Sequence, residues 1–197
     1  MNIILFPGSF SPFTDGHYGL VSRYLNAAKD QGINIDKVKI LMSMKEREGI
    51  NPIVVYQFVS QVYSNDNRIE VVACDQSPIR EVYEEVKDSN NSSNMYILAR
   101  SDKDNDKVTE DFYKNFSKGG KYWYSGIQVR DLEISKRPIV YKNRKDSHNN
   151  EPISGTIARE DLKNHDFNSF LTSYSTIMNQ EPITEKHIKR LFELLSR

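Results

Sequence analysis

The chain has 197 residues, 38% of them hydrophobic and 27% charged, and its 27 basic residues balance its 27 acidic ones. A balanced charge argues against a polycation for nucleic acids, and the apolar run at the amino terminus is far below the ~18 residues that a membrane span needs. We therefore expect a globular cytoplasmic protein that binds neither nucleic acid nor membrane, with a single domain of core 1–160 and helical tail 161–197. The only cysteine, Cys74, excludes an internal disulfide and is expected to be a buried apolar side chain.

Short apolar runs alternate with amphipathic segments over the first hundred residues. The runs predict strands at Ile3–Phe6, Val38–Met42, Ile69–Ala73 and Met95–Ala99, with helices at His17–Ala28, Ile53–Tyr63 and Ile79–Val86. This alternation predicts an α/β fold with a doubly wound parallel sheet, whose ligands bind at the carboxyl ends of the strands. The loops after Phe6, Met42 and Ala99 are therefore the candidate sites.

The remaining segments are less periodic. We predict a helix at Val108–Phe116, short strands at Lys121–Tyr124 and Pro138–Tyr141, and a C-terminal helix that Thr184 can cap. The polar run Lys142–Glu151 cannot bury apolar surface, so we expect a mobile lid there.

The loop after the first strand reads Gly8-Ser9-Phe10-Ser11-Pro12-Phe13-Thr14-Asp15-Gly16-His17. A strand, a glycine turn and a helix start form a phosphate site, because free N–H groups and the helix dipole point at the ligand. Gly8 and Gly16 would let the backbone come close to a nucleotide, and Thr14 and His17 would donate hydrogen bonds. The alternative is an ordinary helix start, in which Thr14 or Asp15 is only a cap.

A second candidate segment is Pro152-Ile153-Ser154-Gly155-Thr156-Ile157-Ala158-Arg159, a loop that runs into a helix. Its hydroxyls, its glycine backbone and the guanidinium of Arg159 could hold the β- and γ-phosphates of a nucleotide. On its own it could equally be a helix cap followed by a surface arginine.

Together the two segments resemble a known family. Gly8-Ser9-Phe10 with Thr14-x-Gly16-His17, followed about 140 residues later by Ile153-Ser154-Gly155-Thr156-x-x-Arg159, resembles the cytidylyltransferase-like nucleotidyltransferase superfamily. The first motif is similar to that of phosphopantetheine adenylyltransferases and the second to that of nicotinamide mononucleotide adenylyltransferases. The two motifs therefore disagree about the acceptor.

The resemblance implies a role for each matching residue. Thr14 and His17 would stabilise charge on the transferring phosphate, while Ser154, Thr156 and Arg159 would hold the outgoing pyrophosphate. It also implies two groups of binding residues. The nucleotide would contact Gly8, Ser9, Phe10, Gly16, Asp102 and Gly155, and the acceptor would contact Lys45 and Arg100. Mg²⁺ would be bound mainly through the nucleotide phosphates, without a protein metal site.

The expected activity is transfer of AMP from ATP to a phosphorylated small-molecule acceptor, with release of pyrophosphate. Two alternatives stay open: a cytidylyltransferase that uses CTP, and a nucleotide-binding module without turnover. The sequence leaves a homo-oligomer open as well.

Overall fold

The computed structural model describes residues 1–89, 93–100, 107–124, 126–134, 141–142 and 151–197. They form two compact units. The first consists of Met1–Gly8, Arg23–Ser43 and Arg68–Ser135, and the second of Ser9–Ser22, Met44–Asn67 and Lys136–Arg197. The expected single domain with core 1–160 and tail 161–197 stays a prediction.

The first unit contains a five-stranded sheet in which every strand pairing is parallel. Its strands are β1 (Asn2–Gly8), β2 (Lys37–Ser43), β3 (Ile69–Cys74), β4 (Met95–Leu98) and β5 (Gln128–Val129), in the order β3-β2-β1-β4-β5. Helices lie on both sides of this sheet, so the predicted doubly wound, Rossmann-like α/β fold is confirmed.

The order of the strands reverses at β1. The chain passes from β1 through β2 to β3 on one side, then returns to place β4 and β5 on the other. The apolar sequence of β1 suits this central position, where Ile3, Ile4 and Leu5 are at most 2% exposed. Gly8 and Leu98 end the two strands that flank the reversal, which is where open α/β sheets bind ligands.

Four helices follow the first four strands: α1 (Asp15–Asp30), α2 (Pro52–Val62), α3 (Pro78–Asp88) and α4 (Lys107–Phe116). Both α2 and α3 begin at a proline behind a polar cap, Asn51 and Ser77, whose side chains accept first-turn N–H groups. Helices α3 and α4 contribute to one apolar cluster with the sheet, which includes Leu5, Leu98, Val82, Phe112 and Phe116.

Cys74 belongs to the same cluster and is 2% exposed. Burial, and to a lesser extent Glu81 and Asp75, raise the pKa of its thiol to about 11. The expected buried, apolar cysteine is confirmed.

The C-terminal part of the second unit is helical, as expected. It contains α5 (Gly155–Lys163), α6 (Phe167–Leu171), two 3₁₀ turns (Thr172–Tyr174 and Ile177–Asn179) and α7 (Glu185–Leu195). Thr184 caps α7 as predicted, and Ile188, Leu191 and Leu195 are its buried residues. A two-stranded antiparallel pair, β6 (Tyr141–Lys142) with β7 (Glu151–Pro152), precedes α5.

The strand predicted at Lys121–Tyr124 is wrong. The residues form a turn after α4, in which the N–H of Tyr122 donates to Asn115 at 2.9 Å and that of Trp123 to Gly120 at 3.2 Å. These N–H groups are the ones that a strand would offer to a neighbour. Gly119, with φ of 87°, turns the chain before them.

Three other expectations fall wholly or mainly on residues that the structure does not describe: most of the strand Pro138–Tyr141, the interior of the lid Lys142–Glu151, and Asp102. Within the described ranges, no helix is both long and apolar enough to cross a membrane.

Candidate active site

Thr14 and His17 form a cap at the start of α1. Thr14 precedes the first helical residue, and its carbonyl oxygen accepts the N–H of His17 at 3.0 Å. The Nδ1 atom of His17 accepts the backbone N–H of Thr14 at 3.2 Å and lies 3.3 Å from the Thr14 hydroxyl oxygen. A ring nitrogen that accepts an N–H carries no proton, so neutral His17 has its proton on Nε2.

The same cap occurs a second time in the chain. At the start of α7, Nδ1 of His187 accepts the N–H of Thr184 at 3.1 Å and lies 2.9 Å from its hydroxyl oxygen. A Thr-x-x-His cap is therefore not in itself evidence of catalysis, and the ordinary-cap alternative fits the local geometry at both helices. The two differ in setting, because Thr14 is 0% exposed whereas Thr184 is exposed.

Two glycines bring the candidate segments into backbone contact. A Cβ atom on Gly16 would lie 2.9 Å from the carbonyl oxygen of Ile153, and one on Gly155 would lie 2.9 Å from that of Ser11. Real Cβ atoms essentially never approach this closely. Gly16 was expected to make room for a nucleotide, but the neighbour that requires a glycine here is the second motif itself.

Arg159 joins the same two segments through its side chain. It is 9% exposed, and one of its terminal nitrogens donates to the carbonyl oxygen of Ser11. The other terminal nitrogen donates to the Thr156 hydroxyl at 3.2 Å, and Nε donates to Oε2 of Glu48 at 2.8 Å. Ser154, the N-cap of α5, accepts the N–H of Ile157 at 3.4 Å. The second motif therefore forms the helix start that the sequence predicted.

The loop between β1 and α1 encloses the ring of His17. Phe13 stacks on this ring with centroids 5.4 Å apart, and Phe10 meets it edge-on at 5.2 Å. Phe10 is 4% exposed and has a φ of 45°, in the left-handed region that favours glycine. The structure places Phe10 as packing for His17, while Ser9 accepts a hydrogen bond from Arg47 at 3.3 Å.

Asp15 ties the start of α1 to the C-terminal segment. Its carboxylate accepts the backbone N–H groups of Thr176 at 2.8 Å and Ile177 at 3.0 Å, and the residue is 6% exposed. Burial first, and then the nearby carboxylates of Asp15 and Asp161, raise the pKa of Tyr174 well above its usual value. Asp15 therefore helps to fix the position of the helix end that carries Thr14 and His17.

The loop after β2 supplies cationic side chains to the second unit. Lys45 lies two residues beyond the end of β2 and is exposed. Arg47 pairs with Ile50 in a tight turn whose central residues are Glu48 and Gly49, and the N–H of Ile50 donates to Arg47 at 3.0 Å. Lys45, Arg47 and the carboxylate of Glu48 thus belong to the same loop.

Arg100 lies in the first unit and is paired there. Nε donates to Oδ1 of Asp131 at 3.2 Å, and a terminal nitrogen donates to Oδ2. These hydrogen bonds raise the pKa of the guanidinium. Arg100 already has a bidentate carboxylate partner, so its assignment to the acceptor stays a prediction.

No protein-family model matches the chain, and no curated protein matches it at a significant level of similarity. In the part of the chain that the structure covers, no group of three or more His, Cys, Asp or Glu side chains could hold a metal ion.

Sequence reasoning missed two contacts of this site and one comparison. Asp15 was considered only as a cap, Glu48 received no role, and the Thr-x-x-His pattern at Thr184 was not compared with that at Thr14. The repeated pattern was the one signal visible in the sequence. The partners of Asp15 and Glu48 lie more than a hundred residues away along the chain.

Proposed function

We propose that this protein is an adenylyltransferase, which transfers AMP from ATP to a phosphorylated small-molecule acceptor and releases pyrophosphate. The backbone contact between the two motifs carries the proposal. Each position needs a glycine, because a Cβ atom on Gly16 or Gly155 would clash with a backbone carbonyl oxygen of the other motif. If each motif were only an ordinary helix cap, nothing would require these two segments, which are far apart in sequence, to lie against each other.

His17 supports the reaction through its tautomer. Because Nδ1 accepts the N–H of Thr14, Nε2–H is the donor that the ring can offer to an oxygen of the α-phosphate. Phe10 and Phe13 hold the plane of the ring. A donor fixed in advance stabilises developing charge without reorganisation during the reaction.

The second motif would hold the leaving group. Arg159, the hydroxyls of Ser154 and Thr156, and the amino-terminal end of α5 would surround the β- and γ-phosphates. An oxygen of the acceptor phosphate attacks the α-phosphorus, and the bond from that phosphorus to the bridging oxygen breaks as pyrophosphate leaves. Mg²⁺ would arrive with the nucleotide and neutralise phosphate charge. Lys45, an exposed side chain in the loop after β2, would bind the phosphate of the acceptor.

Pyrophosphate release, measured with ATP and CTP against a panel of phosphorylated acceptors, tests the proposal. We expect release with ATP and at least one acceptor, and a product whose mass equals acceptor plus AMP. Release with CTP alone would replace the adenylyltransferase by a cytidylyltransferase. Tight ATP binding without release for any acceptor would favour the nucleotide-binding module, which the ordinary cap at Thr184 makes the main rival.

A further inference from the structure

Arg159 already binds an anion in this structure. Its Nε donates to Oε2 of the Glu48 carboxylate at 2.8 Å, and the exposed fractions of the two side chains are 11% and 44%. The arginine is thus buried, while its carboxylate partner faces solvent on one side. The Glu48 carboxylate can therefore separate from Arg159 without exposing the apolar core.

The turn that carries Glu48 is built to present this carboxylate. Glu48 and Gly49 are its two central residues, with φ values of 52° and 79°. Two successive positive φ values are typical of a tight type I′ turn, which favours Asn, Asp or Gly at the first position. A glutamate there occupies an unfavourable backbone conformation, and unfavourable conformations of this kind concentrate at functional sites.

Arg47 places a second guanidinium beside the same carboxylate. Its Nε lies 3.7 Å from Oε1 of Glu48, and one of its terminal nitrogens donates to Ser9 at 3.3 Å. Oε1 and Oε2 of Glu48 therefore each face an arginine. Two guanidiniums around a pair of acidic oxygens is also the arrangement that binds a phosphate group.

We propose that Glu48 is a tethered competitor for the nucleotide phosphates: its carboxylate occupies the anion site of Arg159 until a polyphosphate displaces it, and the turn at 47–50 then swings away. This inference rests on the proposed function, since it assumes that Arg159 meets the triphosphate. Glu48 would then weaken nucleotide binding, whereas the residues named under the proposed function would strengthen it.

Calorimetric titration with ATP and with inorganic tripolyphosphate, each with Mg²⁺, tests this exchange in the full chain. We expect Glu48→Gln to bind both about fivefold more tightly than wild type, the scale of a partly exposed ion pair. Glu46→Gln is the matched control, because it removes the same charge from the same loop without a contact to Arg159. The control should bind within twofold of wild type.

A thermal melt without ligand separates competition from damage to the fold. Removing the carboxylate leaves the charge of Arg159 uncompensated, so Glu48→Gln should melt at a lower temperature and yet bind more tightly. A merely structural role for Glu48 would weaken both properties.

The remaining outcomes distinguish the two proposals. Equal affinity in wild type and Glu48→Gln, or equal gains in Glu48→Gln and Glu46→Gln, would overturn the competitor while leaving the adenylyltransferase standing. Tighter binding by Glu48→Gln alone, without pyrophosphate release by any variant, would support the role of Glu48 as a competitor and overturn the proposed adenylyltransferase activity. Absence of binding in every variant would overturn both.

Discussion

His17 and His187 offer a comparison at the level of single residues. Each accepts the N–H of a threonine three residues earlier, at 3.2 Å and 3.1 Å respectively. Replacing either histidine by alanine removes the same kind of cap, which is worth about 1 kcal/mol. The loss of the cap should therefore cost the two variants a similar amount, and His17→Ala should lose in addition the ring contacts with Phe10 and Phe13. A large difference in activity between the two variants would report on the site.

We predict that His17→Ala lowers kcat and kcat/KM together by about 10²–10³, the cost of losing one donor to the transition state. The affinity for ATP should change much less. His187→Ala should retain activity within twofold of wild type. Steady-state kinetics of pyrophosphate release give both numbers. If His17→Ala kept activity within threefold, the histidine would be only a cap.

At the level of secondary-structure elements, the starts of α1 and α5 depend on one another through Gly16 and Gly155. Alanine is favoured over glycine inside a helix by about 1 kcal/mol. A Cβ 2.9 Å from a backbone carbonyl cannot be relieved by a side-chain rotation, so the clash should outweigh this gain.

We therefore predict that Gly16→Ala and Gly155→Ala each lower the free energy of unfolding by about 1–3 kcal/mol. The double variant should be less destabilised than the sum, because the first alanine already separates the two segments. Urea titrations of the four proteins measure the coupling. Additive losses, within about 0.5 kcal/mol, would mean that the two contacts are independent.

Asp15 connects α1 with the 3₁₀ turn at Ile177–Asn179. Asn has one acceptor oxygen, and its NH₂ group would face an N–H donor, so Asp15→Asn should lose a charge-assisted hydrogen bond worth about 1.5–3 kcal/mol. Asp30→Asn, at the exposed end of the same helix, controls for the change of charge. Chemical denaturation should show the loss in the first variant only. Equal stability of the two variants would mean that the hydrogen bonds of Asp15 with Thr176 and Ile177 do not stabilise the fold.

The sequence was sufficient to predict most helices and strands, but not which side chains of distant segments contact one another. Short apolar runs and amphipathic runs of period 3.6 located four strands and five helices, because local burial dictates those patterns. The strand predicted at Lys121–Tyr124 was wrong because the prediction relied on aromatic residues, which are common in strands, whereas the glycines before them impose a turn. The partners of Asp15 and Glu48 come from chain segments that only folding brings together.

For the molecule as a whole, buried tyrosines make alkaline pH a test of the folded state. The hydroxyl of Tyr24 accepts the N–H of Arg100 at 2.5 Å, and burial raises its pKa from 10.0 to about 12. Burial also raises the pKa of Tyr113, whose hydroxyl oxygen lies 3.0 Å from the carbonyl oxygens of both Leu98 and Arg130 and can donate its proton to either. The folded state thus keeps protons that the unfolded state releases.

We predict that stability is unaffected by these groups below pH 10 and falls as the pH rises from 10 to 12, because the unfolded chain then binds fewer protons than the folded one. Guanidinium titrations across this range measure the slope, and tyrosinate absorbance follows the ionisation itself. Tyr24→Phe should show a shallower slope. Constant stability up to pH 12 would mean that Tyr24 titrates normally in the folded protein.

Trp123 is the only tryptophan of the chain, and it is 39% exposed in the turn that follows α4. Its fluorescence therefore reports on the first unit alone, whereas circular dichroism follows helices of both units. Coincident transitions by the two methods would indicate that the two units unfold as one cooperative body. If the emission of Trp123 changed at a different denaturant concentration, each unit would have a stability of its own, and the optical signals of the natural protein would resolve them without an added label.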